Sequence, residues 1–316
     1  MSPSTETLLL TGATGNLGAA TLDQLLSTTS HNINAIIRNP STAIPHFQSK
    51  YPSAISSGRL TFTTIPDMTL SGSFDAAAST ATLIMHLATP LAYTDFLSTM
   101  ITPTWSIDHN ILTAAQKSGT VKRVVICGTA AQTLRMDRDI ANAELVIDES
   151  RFNDVTLEEA EKSWPDAYSF AKTQAEIKTW AWMEERKGRV GFDVVMLLPP
   201  AIIGRSLQIG DVDDVALTHI RSLSPSIIPG NQRYLVAAPS MLDLRGVARE
   251  LRATDAGLAA RIPDVEPRAS AEWKTCKLDT SKADKVFGRE WKGQVESVRA
   301  VVRDVVEWEK ENGRVI

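Results

Sequence analysis

The 316-residue chain is long for one core and short for two large domains, which favours an α/β core with a smaller C-terminal lobe. Its net charge of −4, without a basic cluster, gives no reason to expect a nucleic-acid or anionic-lipid partner. Two distant cysteines, no signal-peptide pattern and no apolar run long enough to span a bilayer predict a cytoplasmic protein with reduced thiols and no membrane partner.

A glycine-rich turn at residues 11–18 follows the apolar residues 8–10 and precedes a segment whose leucines recur at helical spacing. Strand, glycine turn and helix form the context of a dinucleotide site. Gly12 would permit a tight turn, Gly15 a close approach to pyrophosphate, and Gly18 close packing of the helix on the strand. The residues expected to contact the dinucleotide here are Gly12, Thr14, Gly15, Asn16 and Leu17.

A second buried parallel strand is predicted at residues 33–37, and Arg38 follows it. An acid at this position binds the 2′-hydroxyl of NAD, whereas an arginine accommodates the 2′-phosphate of NADP. Residues 25–65 contain neither Asp nor Glu. Arg38 could instead be an ordinary solvated charge, but the absent acid makes NADP(H) the expected cofactor.

The following segments are predicted in chain order. Residues 40–58 are rich in Pro and Ser, which indicates a loop with at most a short helix. A third strand at 60–65 leads to Asp67, and residues 83–90, which include Ala88 and Thr89, are predicted as a fourth strand that runs into a turn. Its His86 is expected to be a buried histidine with satisfied hydrogen bonds. A helix at 104–119 and a fifth strand at 123–128 follow, and that strand delivers Thr129 to the carboxyl edge of the sheet, where such sheets bind ligands.

The polar, acidic stretch between Thr129 and Trp164 is longer than an ordinary loop and is expected to form part of a substrate rim. A helix is predicted from residue 167 to about 186, after Pro165 and Asp166, and it places Tyr168 and Lys172 one turn apart on one face. A tyrosine has a reference pKa of about 10, which is too high for ready proton exchange near neutrality. A neighbouring ammonium and an oxidised nicotinamide would lower this pKa, as general acid–base chemistry requires.

Together these motifs resemble the extended short-chain dehydrogenase/reductase superfamily, of the NAD-dependent epimerase/dehydratase type. The glycine spacing is similar to its Thr-Gly-x-x-Gly-x-x-Gly signature, which NmrA-like relatives share. The His-Leu-Ala-Thr-Pro stretch that begins at His86 resembles the branch of dihydroflavonol reductases, cinnamoyl-CoA reductases and fungal aldehyde or ketone reductases. Residues 198–204 match the Asn-Pro-x-x-Val-x-Gly of that branch, with Leu198 in place of asparagine.

The resemblance implies a Rossmann-like, doubly wound parallel sheet with a C-terminal substrate lobe, and specific roles for several residues. Asp67 would bind the adenine amine, and Asn110 would support the site through backbone or water. Leu87, Ala88 and Thr89 would pass close to the cofactor ribose, and Pro199 and Ile202 would face the nicotinamide. Thr129, in place of the usual serine, Tyr168 and Lys172 would form the catalytic set, with Tyr168 and Lys172 also touching the cofactor; no metal is expected.

Two domains are predicted: an NADP-binding domain with the catalytic residues at 1–198, and a mainly substrate-binding lobe at 199–316 with some segments returning to the core. The predicted function is NADPH-dependent reduction of a ketone or aldehyde of a small organic substrate, with a secondary metabolite among the candidates, in a monomer or homodimer. Two alternatives remain open. One is an epimerase or dehydratase that uses transient oxidation, and the other is a non-catalytic NADP sensor of the NmrA type.

Overall fold

The computed structural model describes residues 6–202, 211–237, 243–266, 275–288, 291–311 and 313. The strands, in chain order, are β1 Thr7–Thr11, β2 Asn32–Ile37, β3 Leu60–Thr64, β4 Leu83–His86, β5 Arg123–Cys127, β6 Val146–Ile147, β7 Asp193–Leu198, β8 Gln232–Leu235 and β9 Lys277–Leu278. The α-helices are α1 Asn16–Thr28, α2 Pro40–Lys50, α3 Pro52–Ser56, α4 Asp75–Ala78, α5 Thr102–Ser118, α6 Leu157–Ala160, α7 Trp164–Glu185, α8 Val212–Ser222, α9 Leu244–Thr254, α10 Ser281–Phe287 and α11 Gln294–Glu311. A π-helical turn, Leu97–Ile101, leads directly into α5.

Within these described residues, seven strands form one parallel sheet in the order β3-β2-β1-β4-β5-β7-β8. The chain moves outward from β1 to β3 and then returns to build the other half from β4. This reversal opens a crevice at the carboxyl ends of β1 and β4, the place where doubly wound sheets bind ligands. The predicted Rossmann-like fold is therefore confirmed.

The sheet is covered by helices on both faces, because side chains of successive strand residues point to opposite sides. On β1, Leu9 packs into one hydrophobic cluster with α5 and α7, whereas Leu8 and Leu10 pack into the other with α1 and α2. Both faces of the central strands β1, β4, β5 and β7 are buried, which explains why these strands are nearly continuous apolar runs.

The expectation of a loop with at most a short helix at residues 40–58 is wrong, because the helices α2 and α3 occupy most of this segment. Residues 40–50 form α2, whose first turn is capped by the Asn39 side chain, which accepts a hydrogen bond from the Ser41 N–H at 3.1 Å. Pro40 occupies the first helical turn, where its missing N–H costs nothing, and Phe47 is buried against the sheet. An N-cap, a proline in the first turn and one buried aromatic residue stabilise this helix, although its residues have a low helix propensity on average.

The chain beyond residue 198 contributes to the main sheet as well as to a separate hydrophobic cluster. Helix α8 packs on α1, and β8 pairs with β7. Helices α9 and α11 form a separate hydrophobic cluster in which Val247 and Leu251 meet Val298 and Val301. The division at residue 198 stays a prediction. In the part of the chain that the structure describes, no helix is both long and apolar enough to cross a membrane.

Candidate active site

A large cavity of about 1780 Å³ lies at the carboxyl edge of the sheet. It is large enough for a dinucleotide together with a second small molecule. The predicted site residues that line it are Gly12, Thr14, Gly15, Asn16, Leu17, Arg38, Asp67, Leu87, Ala88, Thr89, Thr129, Tyr168, Pro199 and Ile202. Lys172 is buried behind this wall. Residues 203 and 204 of the matched proline motif lie outside the described residues.

The glycine turn brings β1, α1 and the end of β4 into backbone contact. Gly12 has a φ of +77°, and a Cβ there would lie 2.9 Å from the Ala88 nitrogen. A Cβ on Gly18 would lie only 1.9 Å from the Gly12 carbonyl oxygen. Helix α1 begins with no side-chain cap and no acid in its first turn. Its free N–H groups at the cavity wall fit a pyrophosphate, so the residues present suit a dinucleotide.

A buried polar chain fixes the backbone at the end of β4. The Thr11 hydroxyl accepts hydrogen bonds from the N–H groups of Leu87 and Ala88, both at 3.2 Å. Its own proton is then directed to His86 Nδ1 at 2.7 Å, which leaves Nε2–H to donate to Asp108 at 3.1 Å. The prediction that His86 is a satisfied buried histidine is confirmed.

The end of the cavity near β2 and β3 carries Arg38 and Asp67. Arg38 is exposed and stands next to the capped start of α2, so a cation and a helix N-terminus meet at one place. Asp67 Oδ1 accepts hydrogen bonds from the N–H and the hydroxyl of Thr69, which hold the pKa of its carboxyl below the usual range. Asn110 donates to the Met68 and Leu70 carbonyls, each at 3.0 Å, and thereby supports the turn that carries Asp67.

Thr129 stands where β5 ends and a short 3₁₀ turn, Ala130–Gln132, begins. Its hydroxyl accepts a hydrogen bond from the Ala131 N–H at 3.3 Å, so the hydroxyl proton can be donated to another group. The Tyr168 side chain lies next to the Thr129 side chain, within hydrogen-bond reach. Burial raises the pKa of Tyr168 to about 12, Cys127 adds to this, and a hydrogen bond with the Thr129 side chain opposes it.

Lys172 is buried and bonded to the main chain of β5. Its Nζ donates to the Cys127 carbonyl at 2.8 Å and to the Thr89 hydroxyl at 3.4 Å. Its charge lowers the pKa of the Cys127 thiol, although burial dominates and raises that pKa to about 11. Burial raises the pKa of Tyr168, so the phenol is neutral near pH 7. The expectation that Lys172 and an oxidised nicotinamide together lower this pKa concerns the cofactor complex and stays a prediction.

Aromatic stacking fixes the plane of the Tyr168 ring. Trp164, one helical turn earlier, lies almost parallel to it, with ring centroids 5.4 Å apart and an interplanar angle of 5°. Tyr93 stacks on Trp164 with centroids 5.7 Å apart. The Tyr168 phenol is therefore the inner ring of a stack of three aromatic rings at the cavity wall.

Three residues behind Thr129 were not predicted from the sequence. Gln132 Oε1 accepts a hydrogen bond from the Thr129 N–H at 2.7 Å, and Gln132 Nε2 donates to Glu176 Oε2. Arg233 Nη2 donates to the same carboxylate oxygen at 2.7 Å. Glu176 is four residues after Lys172 and eight after Tyr168, so helical spacing could have placed it on the same face. Nothing local to Arg233 indicated its partner.

The family model described as the NAD dependent epimerase/dehydratase family matches residues 8–224. The chain belongs to this family.

Relatives within the family are similar over nearly the full length. The NAD-dependent epimerase/dehydratase ALT6 of Alternaria alternata is 28% identical, and the match covers 93% of this chain and 96% of that protein. Ketoreductase sphI of Aspergillus fumigatus is 25% identical, with 95% and 98% covered. The crystal structure of yeast methylglyoxal/isovaleraldehyde reductase Gre2 complexed with NADPH superposes with a TM-score of 0.85 at 20% identity, covering 98% of this chain and 100% of Gre2. The last similarity supports the fold.

Proposed function

We propose that this protein is an NADPH-dependent reductase of a ketone or aldehyde. The observation that carries the proposal is the meeting of the Thr129 hydroxyl and the Tyr168 phenol in the same cavity as the glycine turn and Arg38. Bound NADPH would supply the hydride. The chain itself must orient the carbonyl and provide a proton.

Tyr168 is the proposed proton donor. Burial raises its pKa to about 12, so the phenol is protonated at neutral pH, which is the state that reduction consumes. The Lys172 ammonium and an oxidised nicotinamide would favour the phenolate that remains after proton transfer. Thr129 is the proposed second donor: the bond that it accepts from Ala131 directs its proton away from the turn and toward a carbonyl oxygen. Two donors on one oxygen stabilise the negative charge that develops as hydride arrives at carbon.

Lys172 is proposed to bind the cofactor ribose and, through its positive charge, to favour the phenolate form of Tyr168. In the structure its ammonium already bonds the Thr89 hydroxyl, on the segment expected to pass near the ribose. Arg38 and the N-terminus of α2 are proposed to bind the 2′-phosphate, because both favour an anion and α2 has no acid in its first turn.

The lining of the other end of the cavity favours a neutral, largely apolar substrate. The apolar side chains there are Leu134, Met136, Ile140, Trp164, Ala237 and Leu278. Among the described lining residues at this end, Lys277 is the cation and Asp243 the acid. A nucleotide sugar carries a diphosphate that would need more positive charge, so this lining supports reduction over epimerisation of such substrates.

The test is a screen of NADPH oxidation by the purified protein against aldehydes, α-diketones, flavanonols and polyketide-like ketones. Tyr168→Phe keeps the ring and its stacking, so folding and NADPH affinity should survive while turnover falls by about two orders of magnitude or more. Tyr93→Phe is the matched control, since it removes a hydroxyl from the outer, exposed ring of the same stack. Equal activity of wild type and Tyr168→Phe would remove the phenol from the mechanism.

NADPH binding without turnover of any carbonyl would favour the sensor alternative. The cytoplasmic location and the monomeric or homodimeric state stay predictions.

A further inference from the structure

The polar residues behind Thr129 form a continuous buried path from the active site to β8. The Gln132 and Glu176 side chains are fully buried, and Arg233 is nearly so. The Gln132 amide has only one orientation open to it, because its oxygen must face the Thr129 N–H and its nitrogen must face Glu176. A Cβ on residue 128 would lie 2.6 Å from Gln132 Oε1, so Gly128 is what lets the amide reach the main chain.

This path ties together two reacting groups that come from different elements. Thr129 belongs to the end of β5, whereas Tyr168 belongs to α7. Glu176 is on α7, and through Gln132 it holds the Thr129 main chain. The neighbouring Ala130 N–H is fixed as well, by the Pro199 carbonyl at 2.7 Å. The spacing between hydroxyl and phenol is therefore set by a buried hydrogen-bonded link as well as by packing.

Arg233 extends the same path to the substrate rim. Its Nη1 donates to the carbonyls of Glu149 at 2.6 Å and Arg151 at 2.7 Å, and its guanidinium lies 3.9 Å from the centroid of the Phe152 ring. These residues belong to the long connection between Thr129 and Trp164, which also lines the cavity through Leu134 and Met136. One ion pair thus fixes the catalytic hydroxyl and the rim together.

We propose that Gln132, Glu176 and Arg233 act as positioning residues. They fix the Thr129 hydroxyl in position relative to Tyr168, and they hold the substrate rim in a fixed position relative to both residues. This inference rests on the proposed reductase function, for which Thr129 and Tyr168 are the reacting pair. None of the three residues lines the cavity, and they act through the Thr129 main chain.

The decisive variant is Gln132→Met, which has a similar length and removes both amide bonds while the Glu176–Arg233 pair remains. We expect kcat for a carbonyl substrate to fall about 10- to 100-fold, because misplacement of a catalytic group by about 1 Å has that effect. The KM for NADPH should change by less than about twofold, because the dinucleotide end of the cavity is untouched. Amide hydrogen exchange in the 128–132 segment, followed by mass spectrometry, should become faster as the Thr129 N–H loses its acceptor.

Trp180→Phe is the matched control. The Trp180 indole donates to the other oxygen of Glu176, Oε1, at 3.0 Å, so this change removes a bond from the same carboxylate without touching the path to Thr129. Its kcat should remain at the wild-type value. An equal fall in kcat for Trp180→Phe and Gln132→Met would overturn the proposal, because general loosening of Glu176 would then explain both.

A second variant, Gln132→Glu, gives a readout that loss of stability would not mimic. When protonated, the new carboxyl can still accept from the Thr129 N–H and donate to Glu176; when ionised, it repels that carboxylate. Glu176 and Arg233 face this position, with Glu149, Arg151 and Lys282 behind Arg233. The ratio of Gln132→Glu to wild-type kcat should therefore rise as the pH falls.

Two further results would overturn the inference: wild-type kcat in Gln132→Met, or a Gln132→Glu ratio that is independent of pH. Failure of the reductase function itself would be recognised separately, as absent turnover in the wild type. Hydrogen exchange at 128–132 would then still decide whether Gln132 fixes Thr129, since unchanged exchange in Gln132→Met would refute the link.

Discussion

Replacement of Thr129 by Val tests whether the hydroxyl at the end of β5 acts as a donor or only as packing. Valine keeps the shape and deletes the hydroxyl. Loss of one oxyanion-type donor costs on the order of 2.7–4 kcal/mol in the transition state, or about 10²- to 10³-fold in kcat. The same change leaves the Ala131 N–H without its acceptor, which should lower the free energy of unfolding by about 1 kcal/mol.

Thr129→Ser is the control, because it retains both the donor and the cap and removes one methyl group from the cavity wall. It should keep most of the activity and accept bulkier ketones. The assay is steady-state NADPH oxidation with one aldehyde and one branched ketone, combined with urea unfolding of each variant. Full activity in Thr129→Val would refute the reasoning, and a different donor would then be needed.

The pH profile separates Thr129 from Tyr168. Reduction requires the protonated phenol, so its rate should decline on the alkaline side as the Tyr168 phenol ionises. The bond from Thr129 favours the phenolate and lowers the pKa of Tyr168. Thr129→Val should therefore move the alkaline limb to higher pH, and a shift to lower pH would contradict the assigned contact.

Two other predictions concern the cofactor and the core. Arg38→Ala should weaken NADPH binding by about tenfold or more, because it removes a charge-assisted contact worth roughly 1.5–3 kcal/mol, and should leave the affinity for NADH unchanged. Isothermal titration calorimetry with both cofactors checks this prediction. Equal affinities of the wild type for NADPH and NADH would contradict it. His219 is buried on α8, and burial lowers its pKa to about 4. Above pH 6.5 it is neutral in both folded and unfolded chains, but as the pH falls toward 4 only the unfolded chain binds the proton, at a cost to stability of about 3 kcal/mol. The free energy of unfolding should be measured at pH 4.5 and pH 7 for the wild type and His219→Leu. The decrease between pH 7 and pH 4.5 should be smaller in His219→Leu, because the contribution of His219 is absent.

The sequence predicts well the features that depend on local periodicity and spacing. Apolar runs give the strands, and the run that ends at Leu10 is followed at once by the glycine turn. The four-residue spacing of Tyr168 and Lys172 places them on one helical face. These patterns are local because strand alternation and helical turns repeat over a few residues.

The features that escape prediction depend on contacts between distant segments or on weak local signals. Helix α2 depends on a single cap at Asn39 and a single buried Phe47, amid residues typical of loops. The partner of Glu176 is Arg233, 57 residues away on a strand whose pairing is fixed only in the folded sheet. The raised pKa of Tyr168 likewise follows from burial, which no spacing of residues reveals.

The placement of β8 has a consequence for any attempt to dissect the molecule. Residues 194–198 of β7 are all buried, and one of their two sides is hydrogen-bonded to β8. A fragment that ended at residue 198 would present this apolar strand as an unpaired border, a template for intermolecular aggregation. It would also strip α8 from α1 and leave the Glu176 carboxylate buried without its cation. A fragment that keeps β7 paired on both sides must therefore include β8, which ends at Leu235.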